Sequence, residues 1–392
     1  MKVTDLLVEV RDSTLNRVGI ITPDYLVGFT MVLRYNAIST WTLSLPTGHA
    51  METALKTPGS GIIVTFNGNT LLSGPTTWVQ TIQTADNPDG VTQVTGLDDS
   101  VLLRDRLAYP TPTTADVTAQ TTAYDVRTGT AEDVIKGYVN ANMGSTAPAA
   151  RKIASLTVAG SLLRGATVKG SARFDVVYDL LQTLADASGN AGTPLGFDVL
   201  QVGTGLVFDV YQPTDRSKTI RLDIANNRLV ETTYSMAQPK TTRVIVGGSG
   251  DLTARVFTER TSTTSLAAET AWGRRIEKFA DARDTSDATT LNTSGDSILA
   301  TDGKAQVTAS VRPSDDQAML FGIDWFLGDT VTIVVGSYEL AAVVTEMGLS
   351  VDVDGVRLFG TVGEPQLQDY ESQINARQAD LASRMNQLER YK

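Results

Sequence analysis

Gly61-Ile-Ile-Val-Thr-Phe66, followed by Asn67-Gly68, decides the fold class. Ile62, Val64 and Phe66 alternate with Ile63 and Thr65, the period of a half-buried strand. Asn-Gly then supplies the two left-handed residues of a tight hairpin, and Leu71–Ser73 runs back. Outward from this hairpin the same pattern recurs. Leu6, Val8 and Val10 alternate with Leu7, Glu9 and Arg11; Trp41, Leu43 and Leu45 alternate with Thr42 and Ser44 and stop at Pro46. Asp89-Gly90 turns the chain again before Val91–Thr95. Short strands with frequent turns predict a small antiparallel β-barrel-like domain over residues 1–105.

A second stretch repeats the plan. Gly328-Asp-Thr-Val-Thr-Ile-Val-Val335 reads as a strand, Tyr338–Met347 as its return, and Asp354-Gly355 as the turn of a further hairpin. The match is of pattern and not of identity, so it is a weak internal repeat. It predicts a second barrel-like domain over 241–363, with an inserted mobile loop at Thr258–Thr270 and a helix over Asp287–Asp302. Three such chains would present six barrels in a ring, able to meet a sixfold tube on one side and a threefold object on the other.

Between them, 106–240 reads as an α+β middle domain. Tyr109–Thr122 is rich in Pro and Thr and suits a linker or surface loop. Thr130 with Asp133 resembles a capping box, and Val134, Ile135, Tyr138, Val139 and Met143 follow at helical spacing until Gly144. A second helix is predicted over Phe174–Ser188 with its C-cap at Gly189. Phe197–Val202 and Leu206–Tyr211 flank the hairpin turn Gly203-Thr204-Gly205.

The last stretch, 364–392, contains no glycine, and its only proline, Pro365, suits a helix start. Leu367, Ile374, Leu381 and Leu388 recur every seventh residue. Such a row runs along one side of a helix and asks for partner helices. With that row at a, the d row is Tyr370, Arg377, Arg384 and Tyr391; with it at d, the a row is Glu371, Gln378, Met385 and Lys392. Neither seam is clean, so a coiled coil here needs a body that already oligomerises. The expected oligomer interface is Leu367, Tyr370, Ile374, Leu381 and Leu388. The alternative is one amphipathic helix lying on its own domain.

With 392 residues, two to four domains are expected. The absence of cysteine removes disulfides, thiolate metal sites and cysteine nucleophiles. A single histidine, His49, removes any two-histidine metal site, and its place after Pro46 suits an exposed loop residue. A net charge of −11 repels nucleic acid unless basic residues cluster, and Arg274-Arg275 and Arg104/Arg106 are short clusters. No apolar run is long enough for a membrane span, and Met1–Val10 lacks the layout of a signal peptide, so assembly in the cytoplasm is expected. No phosphate-binding loop or nucleophile elbow occurs. Asp352-Val-Asp354-Gly355 lacks the remaining ligands of a calcium loop. The adjacent pairs Asp98-Asp99 and Asp315-Asp316 do not place two carboxylates across a glycosidic bond. No cofactor, metal or catalytic residue is expected.

The chain resembles the minor tail proteins that form the tail-tip or baseplate hub of long-tailed bacteriophages, particularly those of actinobacterial siphophages. The residues that carry the likeness are Asp5-Leu-Leu-Val-Glu-Val-Arg-Asp12, Trp41-Thr-Leu-Ser-Leu-Pro46, Gly59-Ser-Gly-Ile-Ile-Val64, Leu72-Ser-Gly-Pro75, Gly96-Leu-Asp-Asp-Ser-Val-Leu-Leu103, Leu327-Gly-Asp-Thr-Val331, Asp354-Gly-Val-Arg357 and Thr361-Val-Gly363. The resemblance implies a homotrimer with two barrel domains per chain in a pseudo-hexameric ring. It implies docking on a hexameric ring of distal tail protein below the tube. Middle domains would surround or close the channel where the tape-measure protein ends and DNA later passes. Other tail-tip or fibre proteins are implied as partners, and the virion tail tip as the location. Many relatives carry a fibre or a peptidoglycan-cleaving domain, and this sequence has no recognisable lytic domain. The expected fold is therefore α+β, mainly β: two small barrel-like domains, an α+β middle domain and a C-terminal coiled-coil helix. The expected function is a non-enzymatic hub without a membrane anchor or sequence-specific nucleic-acid binding. The competing readings are a carbohydrate-active or receptor-binding tail protein and, more remotely, a secreted adhesin.

Overall fold

A computed structural model describes residues 6–363 except 23, 24, 67, 86, 284, 315–318, 337, 353 and 354. The coiled-coil expectation, and with it Leu367, Tyr370, Ile374, Leu381 and Leu388, lies outside the described residues. Within them the protein is mainly β with some helices. It divides into two compact units, one of residues 1–232 with 310–362, the other including 233–309.

The first unit begins with β1 (Leu6–Arg11), β2 (Arg17–Ile21), β3 (Gly28–Arg34), β4 (Thr40–Pro46), α1 (Glu52–Lys56), β5 (Gly61–Phe66), β6 (Asn69–Ile82), β7 (Val91–Leu97) and α2 (Val101–Arg104). The middle of the chain gives β8 (Leu107–Ala108), β9 (Asp125–Thr130), α3 (Ala131–Asn142), β10 (Leu156–Val158), β11 (Thr167–Ala172), β12 (Asp175–Val176), α4 (Val177–Asn190), β13 (Gly196–Val202), β14 (Gly205–Tyr211) and β15 (Arg221–Leu222). The chain leaves this unit within β16 (Leu229–Ala237). The second unit holds β17 (Arg243–Gly247), β18 (Phe257–Arg260), α5 (Thr263–Trp272), β19 (Glu277–Asp281) and α6 (Ala288–Asp302). The return falls within β20 (Gln306–Pro313), followed by β21 (Thr330–Val335), β22 (Tyr338–Asp352) and β23 (Gly355–Gly363).

Alternation becomes burial as expected. Trp41, Leu43 and Leu45 of β4 and Val8 and Val10 of β1 are all but fully enclosed. The Gly61–Phe66 hairpin forms, but its return strand is much longer than the expected Leu71–Ser73. β6 has 14 residues and serves two neighbours. Asn69–Pro75 pairs with β5, the register then shifts between Thr76 and Trp78, and Thr76–Ile82 pairs with β7. Gly74 permits this bend: a Cβ there would lie 1.8 Å from the Leu97 carbonyl oxygen. β22, with 15 residues, behaves alike. Tyr338–Val343 pairs with β21, the register shifts between Val344 and Glu346, and the rest pairs with β23.

The expectation of two separate barrels needs correction. β22 also pairs with β3, so the N-terminal and C-terminal β regions lie on one sheet path, β23-β22-β3-β4-β7-β6-β5-β1-β2. No closed barrel is found among the described residues.

The middle of the chain packs α3 and α4 on two small sheets, β11-β9 and β10-β14-β13. Ile135, Tyr138 and Val139 of α3 meet Val177, Leu181 and Leu184 of α4, with Phe197, Phe208 and Val210 below. Three local expectations are corrected here. Thr130 is the N-cap of α3, but its side chain makes no capping bond and its buried hydroxyl has no described partner. The second helix starts at Val177 and not at Phe174, which takes φ +63°. It runs past Gly189 to Asn190, and Gly192 (φ +88°) supplies the left-handed turn instead.

In the second unit, Val244 and Val246 of β17 bury against Leu291 and Leu299 of α6. The helix predicted at Asp287–Asp302 is present, with the Asp287 carboxylate accepting from Thr290 N at 2.8 Å. The Thr258–Thr270 stretch is not a loop but part of β18 and α5. Ser262 and Ser265 cap α5 reciprocally, and Gly273 closes it at φ +61°. Its apolar residues do not gather on one face, which is why periodicity missed it.

Candidate functional site

Three of the eight stretches that carry the family likeness meet at one buried junction within the first unit. Arg11 ends β1; Asp98-Asp99-Ser100 is the turn after β7, not a strand; Ser73 lies on β6. The Arg11 guanidinium donates to both Asp99 oxygens at 2.5 and 2.8 Å, and both side chains are 3% exposed. Ser73 Oγ donates to Asp99 at 2.6 Å. Arg11 also donates to Gln201 Oε1 at 2.8 Å, and Gln201 N donates to Ser73 Oγ at 2.7 Å. Gln201 belongs to β13, so the network ties the N-terminal β region to the middle sheet. Arg11 Nε is buried without a described partner, so the pair specifies geometry more than it adds stability.

Asp98 points elsewhere and accepts from Ser39 N at 2.7 Å and Ser100 N at 3.1 Å. Burial pushes its carboxyl up to about 6, against the hydrogen bonds from Ser39 that pull it down. Burial likewise lifts Asp198 of β13 to about 7, with Asp209 and Asp98 adding repulsion. Asn36 completes the clasp in a left-handed turn, φ +46°. It donates to Leu195 O at 2.8 Å and accepts from Phe197 N at 3.1 Å.

A second buried group explains Leu327-Gly-Asp-Thr-Val331. Asp329 accepts from Arg216 Nε and Thr214 N, both at 2.7 Å, and from Phe326 N at 3.0 Å. Gly328 (φ +84°) lies so close to Tyr35 that a Cβ would meet its ring at 2.5 Å. Between β3 and β22, Arg34 Nε donates to Glu346 at 2.9 Å.

A third group sits in the middle of the chain. Glu132 is fully buried and receives Lys136 Nζ at 2.7 Å and Arg164 Nε at 3.0 Å. Burial alone would raise its carboxyl, but the bonds from Arg164 and Lys136 hold it well below the usual range. Lys136 also reaches Asp209 at 2.7 Å and Gly160 O at 2.8 Å. Beside this group a polar cleft of about 550 Å³ opens between β9, α3 and β10.

His49 lies in the turn before α1, where its Nδ1 accepts from Met51 N at 3.1 Å and its ring meets Tyr25 edge-on. Asp315 and Asp316 fall outside the described residues, as does Asp354. Among the described residues no group of three or more His, Asp and Glu could hold a metal ion. No described helix is long and apolar enough to cross a membrane. Sequence reading missed the Arg11–Asp99–Gln201 and Glu132–Lys136–Arg164 groups. Only the spacing of Glu132 and Lys136, one helical turn apart, could have suggested a pair.

Among the described residues a large mixed sheet with long shared strands is tied to a helical middle by buried ion pairs, and this is a fold found in solved phage tail proteins. The chain belongs to the family of Siphovirus ReqiPepy6 Gp37-like proteins, whose model matches residues 7–364. Its fold is similar to that of the 43 kDa tail protein of prophage MuSo2 from Shewanella oneidensis, with a TM-score of 0.57 at 10% identity, covering 91% of this chain and 97% of that one. It is likewise similar to a tail protein from Neisseria meningitidis MC58, with a TM-score of 0.56 at 12% identity, covering 92% and 96%. No curated protein sequence matches significantly.

Proposed function

We propose that the chain is the trimeric hub of a bacteriophage tail tip. It would adapt the hexameric ring of distal tail protein to a threefold tip while surrounding or closing the DNA channel. The observation that carries this reading is the repeat in strand order. β5-β6-β7 and β21-β22-β23 each consist of a short strand, a long strand that passes from the first to the third across a register shift, and a hairpin return; β22 pairs with β3 besides. Two like modules per chain give six in a trimer, which suits a sixfold neighbour.

The remaining chemistry supports a scaffold. The buried ionic groups brace elements against each other and are consumed by their partners. A net charge of −11 suits a channel wall that must release DNA. The role is non-enzymatic; the partners are two further copies, distal tail protein, tape-measure protein and tip or fibre proteins; assembly takes place in the host cytoplasm. Leu367, Tyr370, Ile374, Leu381 and Leu388 would extend the oligomer along its axis.

Native mass spectrometry of the full chain, of a chain ending at Gly363, and of a Leu381→Asp/Leu388→Asp variant tests the reading. A trimer that survives truncation assigns the threefold to the β modules. A trimer that falls to monomer in both altered chains assigns it to the heptad row. A stable dimer or hexamer of the full chain would count against the hub.

A further inference from the structure

We propose that the cleft between β9 and β10 receives an extended segment of another polypeptide, which adds a strand to the middle domain. Both walls of the cleft are sheet edges. Among the described residues β9 pairs with β11 alone, and β10 with β14 alone. The free groups follow from the ladders. Ala159 N donates to Phe208 O and Leu206 N donates to Ser155 O, so in this parallel pair Val158 turns its own N–H and C=O away from β14. On the other wall, Ala131 N donates to Ala166 O. By the alternation of an antiparallel pair, Thr128 then presents its N–H and C=O on the side away from β11. Thr128 and Val158 both line the cleft. Among the described residues neither backbone group of Val158 has a partner.

The floor is α3, which packs against β9 and β11 and against β10 and β14. Its half-buried Gly137 and Asn140 line the cleft together with Val134, which is itself buried. One helix thus spans two sheets that stop short of each other, an arrangement that an additional strand completes. Main-chain bonds to an open edge supply affinity, and alternate side chains supply specificity. The one acid in the cleft, Asp133, is exposed and makes no ion pair with a described residue, whereas the cleft's Arg127 and Lys136 are engaged by Asp125 and by Glu132 and Asp209. The entering strand therefore carries a lysine or arginine opposite Asp133. Lys136 itself lines the cleft, and its nitrogen is taken up by Glu132, Asp209 and the Gly160 carbonyl. The inference rests on membership of a tail assembly and not on the trimer proposed above.

The test compares hydrogen exchange of the full chain, free in solution and in purified tails. Addition of a strand slows exchange at Val158 and Thr128 by at least tenfold in tails, and the chain ending at Gly363 keeps that protection. Val158→Pro removes one donor at a free edge and also trims a side chain that packs against the core, so Val158→Ala, which keeps the donor, is the control; of the two, only the proline variant lowers incorporation into tails at least fivefold. Asp133→Arg, a surface change, lowers incorporation likewise should the proline variant misfold. Equal exchange in both states overturns the proposal. So does protection that disappears in the chain ending at Gly363, which would make residues 364–392 the occupant. A trimer measured by mass with an unprotected cleft separates failure here from failure of the hub reading.

Discussion

Arg11 and Asp99 stand 88 positions apart and meet as a bidentate pair, 2.5 and 2.8 Å, sealed from solvent. The pair joins the first strand to the turn after β7, and through Gln201 it reaches the middle sheet. Removing Arg11 leaves a buried carboxylate with only Ser73 as a charge-neutral donor. Arg11→Ala is therefore expected to lower stability by about 3–5 kcal/mol. Arg11→Met with Asp99→Leu should cost far less, because no lone charge remains. Urea unfolding of the three chains checks the order; equal losses in the single and double variants would remove the pair from the account.

Asp98 gives a pH dependence of stated sign. Its carboxyl titrates near 3.8 unfolded and about 6 folded, so the native state holds the proton more tightly. Stability from this group is present below about pH 4 and is lost as pH rises through about 6. Asp98→Asn should flatten that part of the profile by roughly 2–3 kcal/mol. Unfolding midpoints between pH 4 and 7 decide it, and parallel profiles for the two chains would contradict it.

Glu132→Ala leaves two cations, Lys136 and Arg164, with Asp209 as their one remaining described carboxylate, beside the Gly160 and Val210 carbonyls. The expected loss is about 3 kcal/mol, since one side of a buried pair is left uncompensated. Calorimetry of the full chain should show a lower transition for Glu132→Ala and a smaller shift for Glu132→Gln, which keeps the acceptor.

In the second unit, Ser262→Ala removes one half of the α5 cap. A loss of about 1 kcal/mol is expected, felt locally. Faster amide exchange across Thr263–Trp272, with exchange in α3 unchanged, is the predicted signature.

Hairpins and alternating strands were legible because turn chemistry and period act over a few residues. The turn glycines Gly68 and Gly203 stand where they should, both at positive φ, as does the helix capped by Asp287. The long strands were not legible. Gly74-Pro75 reads as a stop, yet it is where β6 bends from one neighbour to the next. α5 escaped because its signal is a cap pair, Ser262 and Ser265, without an apolar stripe. The junction escaped for a different reason: Arg11 and Gln201 are 190 positions apart, and nothing local marks either as buried. What could be read were the stretches themselves. Val10-Arg11, Leu72-Ser73-Gly74 and Asp98-Asp99-Ser100 carry the likeness, and the fold brings them to one place.

The most direct test of the central claim is an electron cryomicroscopy map of the tail tip in an intact virion. The hub reading predicts three copies of this chain around the channel axis, with β5-β6-β7 and β21-β22-β23 of each chain alternating in a ring of six modules against the distal tail protein. A different copy number at that level, or the chain found off the axis on a fibre, would contradict it.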